Sequence, residues 1–280
     1  MNEQRRDNNA SAAFIELIES RTYQRLKQAE TFLKQAKEAL RFMLEPHEGK
    51  RHEFKNLNWV AKFVAKSIWE TDHNGIIEEL LCYVQPEIAF SLIKLDVKSL
   101  KEDNQVDMLN PFILPTTSYI RPTLNKKGKS FTVNKDYLFG GQSVEELVAE
   151  ILTVTEELQK HQERYEDFKK SCLSCPDLRE RKKVTTPYGS ISLLNNKPEW
   201  DLERVFGALG EEFLINYGKV DMTKIDEYIL KGIIPKSVVS AHRKLVDIRV
   251  DFVVMDIAAE ERAMQYHRSK QINASLKRYA

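Results

Sequence analysis

Cysteine, tryptophan, glycine and proline are all scarce in this 280-residue chain: three cysteines, three tryptophans, ten glycines and nine prolines. An odd, small number of cysteines argues against a disulfide scaffold and suits a reducing compartment. No apolar run reaches the roughly 18 residues that a membrane span needs. Met1 to Ala10 is polar and holds no apolar leader segment, so no secretory signal is read there and the cytoplasm is the expected location. Charge of one sign is missing too. Lys and Arg number 43 against 42 Asp and Glu, a net charge of +1, which excludes a histone-like coat but leaves room for local basic patches.

Catalytic signatures are equally thin. There is no nucleophile elbow, no HExxH, no paired-carboxylate spacing and no phosphate-binding glycine loop. Gly140-Gly141 lacks the lysine and following hydroxyl residue that such a loop requires. Cys172 and Cys175 form a CxxC, yet a structural zinc site wants a second ligand pair, and the only other cysteine is Cys82. His161 stands too far back along a straight helix, about 16 Å, to share a metal with them. A redox CxxC opens a helix after a strand, whereas this one closes a helix. The expectation is therefore a protein that is not an enzyme, with no metal and no cofactor. The two cysteines read as bystander thiols, with a metal shared across a dimer as the alternative.

What is present is a helix-pairing pattern. From Ser143 to Cys172 the positions Val144, Leu147, Ile151, Val154, Leu158, His161, Tyr165, Phe168 and Cys172 step by three and four, a heptad seam that His161 alone interrupts. Ser143 with Glu146 forms a capping box at its start, and Cys175-Pro176 ends it. A second seam runs through Ile15, Leu26, Ala29, Leu33, Ala36, Leu40 and Met43, weakened at its start by Glu19 and Thr22. Each helix alone is marginal in water. The two are expected to pair, within one chain or between chains, or else to pack into a globular helical core. Leu147, Ile151, Val154, Leu158, His161, Tyr165 and Phe168, with Leu26, Leu33 and Leu40, are the expected oligomer contacts. A register-setting polar role suits His161 better than a ligand role.

The remaining segments are assigned more coarsely. The fold class expected is α+β, mainly helical: a coiled-coil pair of heptad helices, a small β-hairpin and helix module, and a helical insertion. The segments are a disordered tail (1–10), a heptad helix (11–45), a helical insertion with a β-hairpin (46–142), a heptad helix (143–175), a small α+β module (176–255) and a C-terminal helical arm (256–280). Within the insertion, Phe54 to Asp72 reads as a helix. Ser118–Leu124 and Lys129–Val133 read as a hairpin around Asn125-Lys126-Lys127-Gly128, whose lysines either line a solvated loop or contact phosphate. After the second heptad helix, Val184-Thr185 and Ser190–Leu193 read as a hairpin turning at Pro187-Tyr188-Gly189. Then come a short helix from Asp201 to Leu209, a strand at Phe213–Tyr217, a helix capped by Asp221, and a strand at Ile248–Met255.

Arg179, Arg181, Lys182 and Lys183 gather where the helix hands over to the hairpin, and Lys197, Lys219 and Lys224 follow. Cations on a hairpin edge can track a phosphate backbone independently of sequence. An ordinary solvated surface is the competing reading, because Glu180, Glu199, Asp201 and Glu203 interleave.

From about Glu145 to Leu245 the order of parts resembles the phage Mu-type Gam host-nuclease inhibitors, and a similar siphovirus family. A long helix runs into Lys182-Lys183-Val184-Thr185-Thr186-Pro187-Tyr188-Gly189-Ser190-Ile191-Ser192-Leu193. Lys197-Pro198, a short helix and Phe213–Tyr217 follow. Lys219-Val220-Asp221-Met222-Thr223-Lys224-Ile225, Ile229-Leu230 and Gly232-Ile233-Ile234-Pro235 close the segment. The resemblance covers the C-terminal third to two fifths of the chain. It implies a dimer or larger homo-oligomer in the host cell cytoplasm that sits on double-stranded DNA ends and keeps nucleases off. Residues 46–142 and 256–280 depart from the family's pattern. They leave open a grip on a host defence nuclease without DNA, or a coiled-coil structural phage protein.

Overall fold

The computed structural model describes residues 9–131 and 136–276. The fold is α+β and mainly helical. In chain order it begins with helices α1 (Ala10–Glu19) and α2 (Thr22–Leu44), then strands β1 (Arg51–Phe54) and β2 (Trp59–Thr71). Helices α3 (His73–Tyr83) and α4 (Pro86–Leu92), strand β3 (Ile93–Leu95) and helix α5 (Val97–Glu102) follow. Next are β4 (Ser118–Leu124), α6 (Lys126–Lys129), α7 (Val144–Ser174), α8 (Pro176–Arg181), β5 (Lys183–Thr186) and β6 (Gly189–Asn195). The chain finishes with α9 (Leu202–Leu209), α10 (Glu211–Tyr217), β7 (Gly218–Val220), α11 (Met222–Leu230), α12 (Lys236–Ser240), β8 (Arg243–Asp256) and α13 (Ile257–Leu276). Among the described residues no helix is long and apolar enough to cross a membrane.

These elements form two compact units. The first holds the described residues up to Gly49 together with Thr117–Asn196; the second holds Lys50–Thr116 and the described residues from Lys197 onward. This division cuts through both the expected 46–142 insertion and the expected 176–255 module. The physical reason is strand pairing. β4 lies within the expected insertion but pairs with β6, and β2 pairs with β8.

In the first unit α2 lies along α7. The capping box is present: Ser143 Oγ accepts from the Glu146 amide at 3.2 Å, and Glu146 returns a carboxylate oxygen to the Ser143 amide at 2.8 Å. Cys175 ends the helix with extended geometry, as the following proline requires. The first heptad segment is not one helix. Arg21 adopts a left-handed conformation (φ 60°) and divides it into α1 and α2, with Gln24 Nε2 reaching back to the Ile18 carbonyl. The kink turns Phe14, Leu17 and Ile18 onto a core with Phe168, Cys172, Leu178, Val184 and Ile191. The Tyr23 and Tyr165 rings meet beside it in a tilted pair, with centroids 5.6 Å apart. Of the residues expected at an oligomer contact, Leu26, Leu33, Leu40, Leu147, Ile151 and Phe168 are buried within the single chain; Val154, Leu158, His161 and Tyr165 are half-buried. Six of these ten positions are thus covered within the chain, and the stretch from Val154 to Tyr165 is only partly covered.

The hairpin expected around Asn125 is not built from its own flanks. Lys126–Lys129 is a single helical turn, and β4 joins the three-stranded antiparallel sheet β4-β6-β5. Thr132 and Val133, of the expected second strand, lie outside the described residues, as do 1–8 of the tail and 277–280 of the arm.

The second unit holds the main departures. Phe54–Asp72 is not a helix: β2 spans Trp59–Thr71 and pairs antiparallel with β8 over its whole length. The apolar positions of this stretch satisfy both periods. Strand pairing wins because Trp59, Phe63, Val64, Ile68 and Trp69 are β-branched or aromatic and a matching strand exists far downstream. Phe213–Tyr217 is not a strand but part of α10, where the Phe213 and Tyr217 rings, four residues apart, meet in a tilted pair with centroids 4.8 Å apart. Glu260, at the start of α13, is buried and accepts from Arg51 Nη2 (2.8 Å) and Lys62 Nζ (2.6 Å), so one carboxylate ties α13 to β1 and β2.

Two stretches of the second unit echo each other. Ile93-Lys94-Leu95-Asp96 and Gly218-Lys219-Val220-Asp221 pair antiparallel as β3 and β7, and each aspartate caps the next helix. The lysine of each strand pairs with the other's aspartate: Lys219 with Asp96 at 2.7 Å and Lys94 with Asp221 at 3.0 Å. The Lys219 ammonium, with further help from Ser99, holds the Asp96 carboxyl down at about 2. A depressed folded-state value adds stability above the unfolded carboxylate range, and that stability is lost as pH falls through the folded value. Lys219→Met is therefore expected to cost about 1 kcal/mol near neutrality and almost nothing at about pH 2. Urea unfolding of the two proteins at both pH values checks this.

Candidate nucleic-acid interface

The open face of the β4-β6-β5 sheet is built by strand alternation. Successive side chains point to opposite faces, and directly opposed residues share a face. The rungs Ile120–Leu193, Pro122–Ile191–Val184 and Leu124–Gly189–Thr186 turn toward the core under α1 and α7. The alternate rungs are therefore Arg121–Ser192–Lys183, Thr123–Ser190–Thr185 and Tyr119–Leu194. Tyr119, Arg121, Thr123, Lys183 and Thr185 are exposed. No acidic side chain stands on these rungs. Arg121 and Lys183 flank Ser192 two strand spacings, or about 10 Å, apart.

Both ends of this face carry further cations. At one end, Arg181 and Lys182 lead into β5. Lys182 is left-handed (φ 60°), donates its amide to Leu178 and accepts from the Leu193 amide at 2.8 Å, so the α8–β5 corner is tied to β6. Arg179 is turned back, its Nε donating to the Leu173 carbonyl at 2.9 Å. At the other end lie Lys126, Lys127 and Lys129. Their turn is pinned to the β5–β6 turn: Asn125 receives the Gly128 amide (2.9 Å) and donates to the Pro187 carbonyl (3.0 Å), and its own amide donates to Tyr188. A β-carbon on Gly128 would come 2.1 Å from the Tyr188 carbonyl oxygen, so only glycine allows the two turns to touch. Lys127 Nζ rests over the Tyr188 ring at 5.1 Å, and the Tyr188 hydroxyl donates to Glu19 at 2.9 Å.

The structure groups the expected site residues unequally. Arg179, Arg181, Lys182 and Lys183 belong to the first unit; Lys197, Lys219 and Lys224 belong to the second. Lys219 is engaged by Asp96, and Lys224 Nζ donates to the Ser91 carbonyl at 3.1 Å. Arg121 and the hydroxyl residues around it escape a sequence reading because β4 is recruited across more than sixty residues of intervening chain. The Tyr-x-Arg-x-Thr alternation of β4 was the available signal, but its partner strand was not.

Two other groups of the same unit were singled out by the sequence. Cys172 and Cys175 are free and buried, and burial pushes the Cys172 thiol up to about 12, so it resists forming the reactive thiolate. His161 sits half-buried on α7 with Nδ1 lacking a hydrogen-bond partner; burial, helped by Arg25 and Arg164, pushes its pKa down and keeps the ring neutral. Among the described residues no three His, Cys, Asp or Glu side chains converge as a metal site would require. The sheet face thus presents hydroxyl groups with cations at its centre and at both ends, an arrangement that offers positive charge and hydrogen-bond donors to a polyanion. No protein-family profile, curated protein or solved structure matches this chain.

Proposed function

We propose that this is a non-enzymatic phage protein that shields phage DNA from host nucleases by binding double-stranded DNA ends in the host cytoplasm. The observation that carries the reading is the outward face of the first unit's sheet, where Arg121 and Lys183 flank Ser192 between two lysine- and arginine-bearing turns. Arginine, lysine and hydroxyl side chains of this kind contact phosphate oxygens without reading bases. The Gam-like order of helix, hairpin and capped helix supports the same role.

The test is a gel shift with linear and closed-circular duplex of one sequence at two salt concentrations. Linear DNA is expected to bind tightly at low salt, more weakly at high salt, and in preference to the circle. Absence of binding to linear DNA at low salt overturns the proposal, and equal affinity for the circle removes the end preference from it.

A further inference from the structure

The β2–β8 ribbon of the second unit exposes an apolar face and an open edge. On one face the opposed pairs are Phe63–Phe252, Ala65–Val250, Ser67–Ile248 and Trp69–Leu245, none of them charged. On the other, Lys62, Lys66, Asp247, Arg249 and Asp251 mix with Val64, Val253 and Ile68. Ile248 and Val250 are 55% and 46% exposed. Among the described residues β8 is the last strand of its sheet, with no strand on its outer side. Residues 247–253 carry no proline, and the register shift falls before them, opposite Ile68 and Trp69. Proteins normally blunt such an edge or use it.

We propose that the edge is used by a second copy of this chain: β8 pairs antiparallel with its symmetry mate about a twofold axis at Val250. The sequence of β8 selects this register. Opposed residues in an antiparallel pair share a face, so the axis must pass through a residue of β8. An axis at Arg249 sets Arg249 against itself and Asp247 against Asp251. An axis at Asp251 sets that carboxylate against itself. An axis at Ile248 draws the irregular Val246 into the ladder. At Val250 the valine meets its mate, Ile248 meets Phe252, and Arg249 meets Asp251 twice. The charges also call for it. Arg249 stands directly opposite Lys66 in the ribbon, a like-charge pair that costs stability. Its own-strand neighbour Asp251 already reaches Arg249 at 2.9 Å, and the mate's Asp251 completes an alternating square.

This assembly stands independently of DNA binding. It is tested by sedimentation of the full chain and by cysteine pairing in a Cys82→Ser background. The wild type is expected to be a dimer. Arg249→Asp, which turns two attractive pairs into two repulsive ones, should raise the dimer Kd by about tenfold or more. The double variant Arg249→Asp/Asp251→Arg should restore it. Val250→Cys should oxidise to a covalent dimer, whereas Ile248→Cys and Ile68→Cys should not. The proposal fails if the chain is monomeric at tens of micromolar, or if the dimer is indifferent to Arg249→Asp, as stacking of the apolar faces would make it. It also fails if Ile68→Cys crosslinks in preference to Val250→Cys, which would place the contact on β2.

Discussion

Changing Arg121, Arg181, Lys182 and Lys183 together to alanine is expected to weaken binding of linear duplex by at least about a hundredfold at low salt. It should also flatten the salt dependence. Each phosphate contact contributes about 0.9 to the slope of log K against log salt, so losing four should reduce the slope by roughly three to four. The slope is the stricter measurement. A variant damaged in its fold would bind less at every salt concentration, but its remaining competent fraction would keep the original slope. Far-UV circular dichroism should be unchanged, because all four side chains are exposed. Lys219→Ala and Lys224→Ala should leave the slope alone, since Asp96 and the Ser91 carbonyl already hold these lysines in the other unit.

Gly189→Ala should be the most damaging single methyl that can be added to the first unit. Gly189 has φ +153° and opposes Leu124 in the β4–β6 ladder, and a β-carbon there would lie 2.0 Å from the Thr123 carbonyl oxygen. Backbone cannot yield as the end of a side chain can, so β4 and β6 must part. The expected cost is roughly 3 kcal/mol, at the upper end for overpacking. The same substitution at Gly207 makes the comparison pointed. Gly207 lies in α9 with open space where its β-carbon would sit, so Gly207→Ala should stabilise by up to about 1 kcal/mol. Denaturant unfolding of both variants would have to give opposite signs.

What the sequence reveals is governed by distance along the chain. The α7 capping box, the Cys175-Pro176 stop, the β5–β6 hairpin, the short α9 helix and the Asp221 cap of α11 are each written within a few residues, and each is present. The misread elements depend on partners far away. Phe54–Asp72 satisfies a helical period as well as a strand period, and only β8, nearly two hundred residues later, decides between them. Ser118–Leu124 was legible as a strand but not as the neighbour of β6. The candidate site divides the same way: Arg181 to Lys183 are a visible cluster, whereas Arg121 joins them only through non-local pairing. At Phe213–Tyr217 the cause is local instead, because a short aromatic-rich run fits either period.

The wide separation of β2 and β8 has a consequence for synthesis. Trp59 pairs with Asp256 and Thr71 with Arg243, so β2 leaves the ribosome long before the strand that covers it. At about 5–20 residues per second the wait is roughly ten to forty seconds. Throughout that interval Trp59, Phe63, Val64, Ile68 and Trp69 are a bare, sticky segment on a nascent chain. The unit built on α2 and α7 needs nothing beyond Asn196 and can close first. The ribbon is the portion that would call on a chaperone, and shortening the chain before Asp256 would leave a polypeptide prone to aggregate rather than a smaller folded protein.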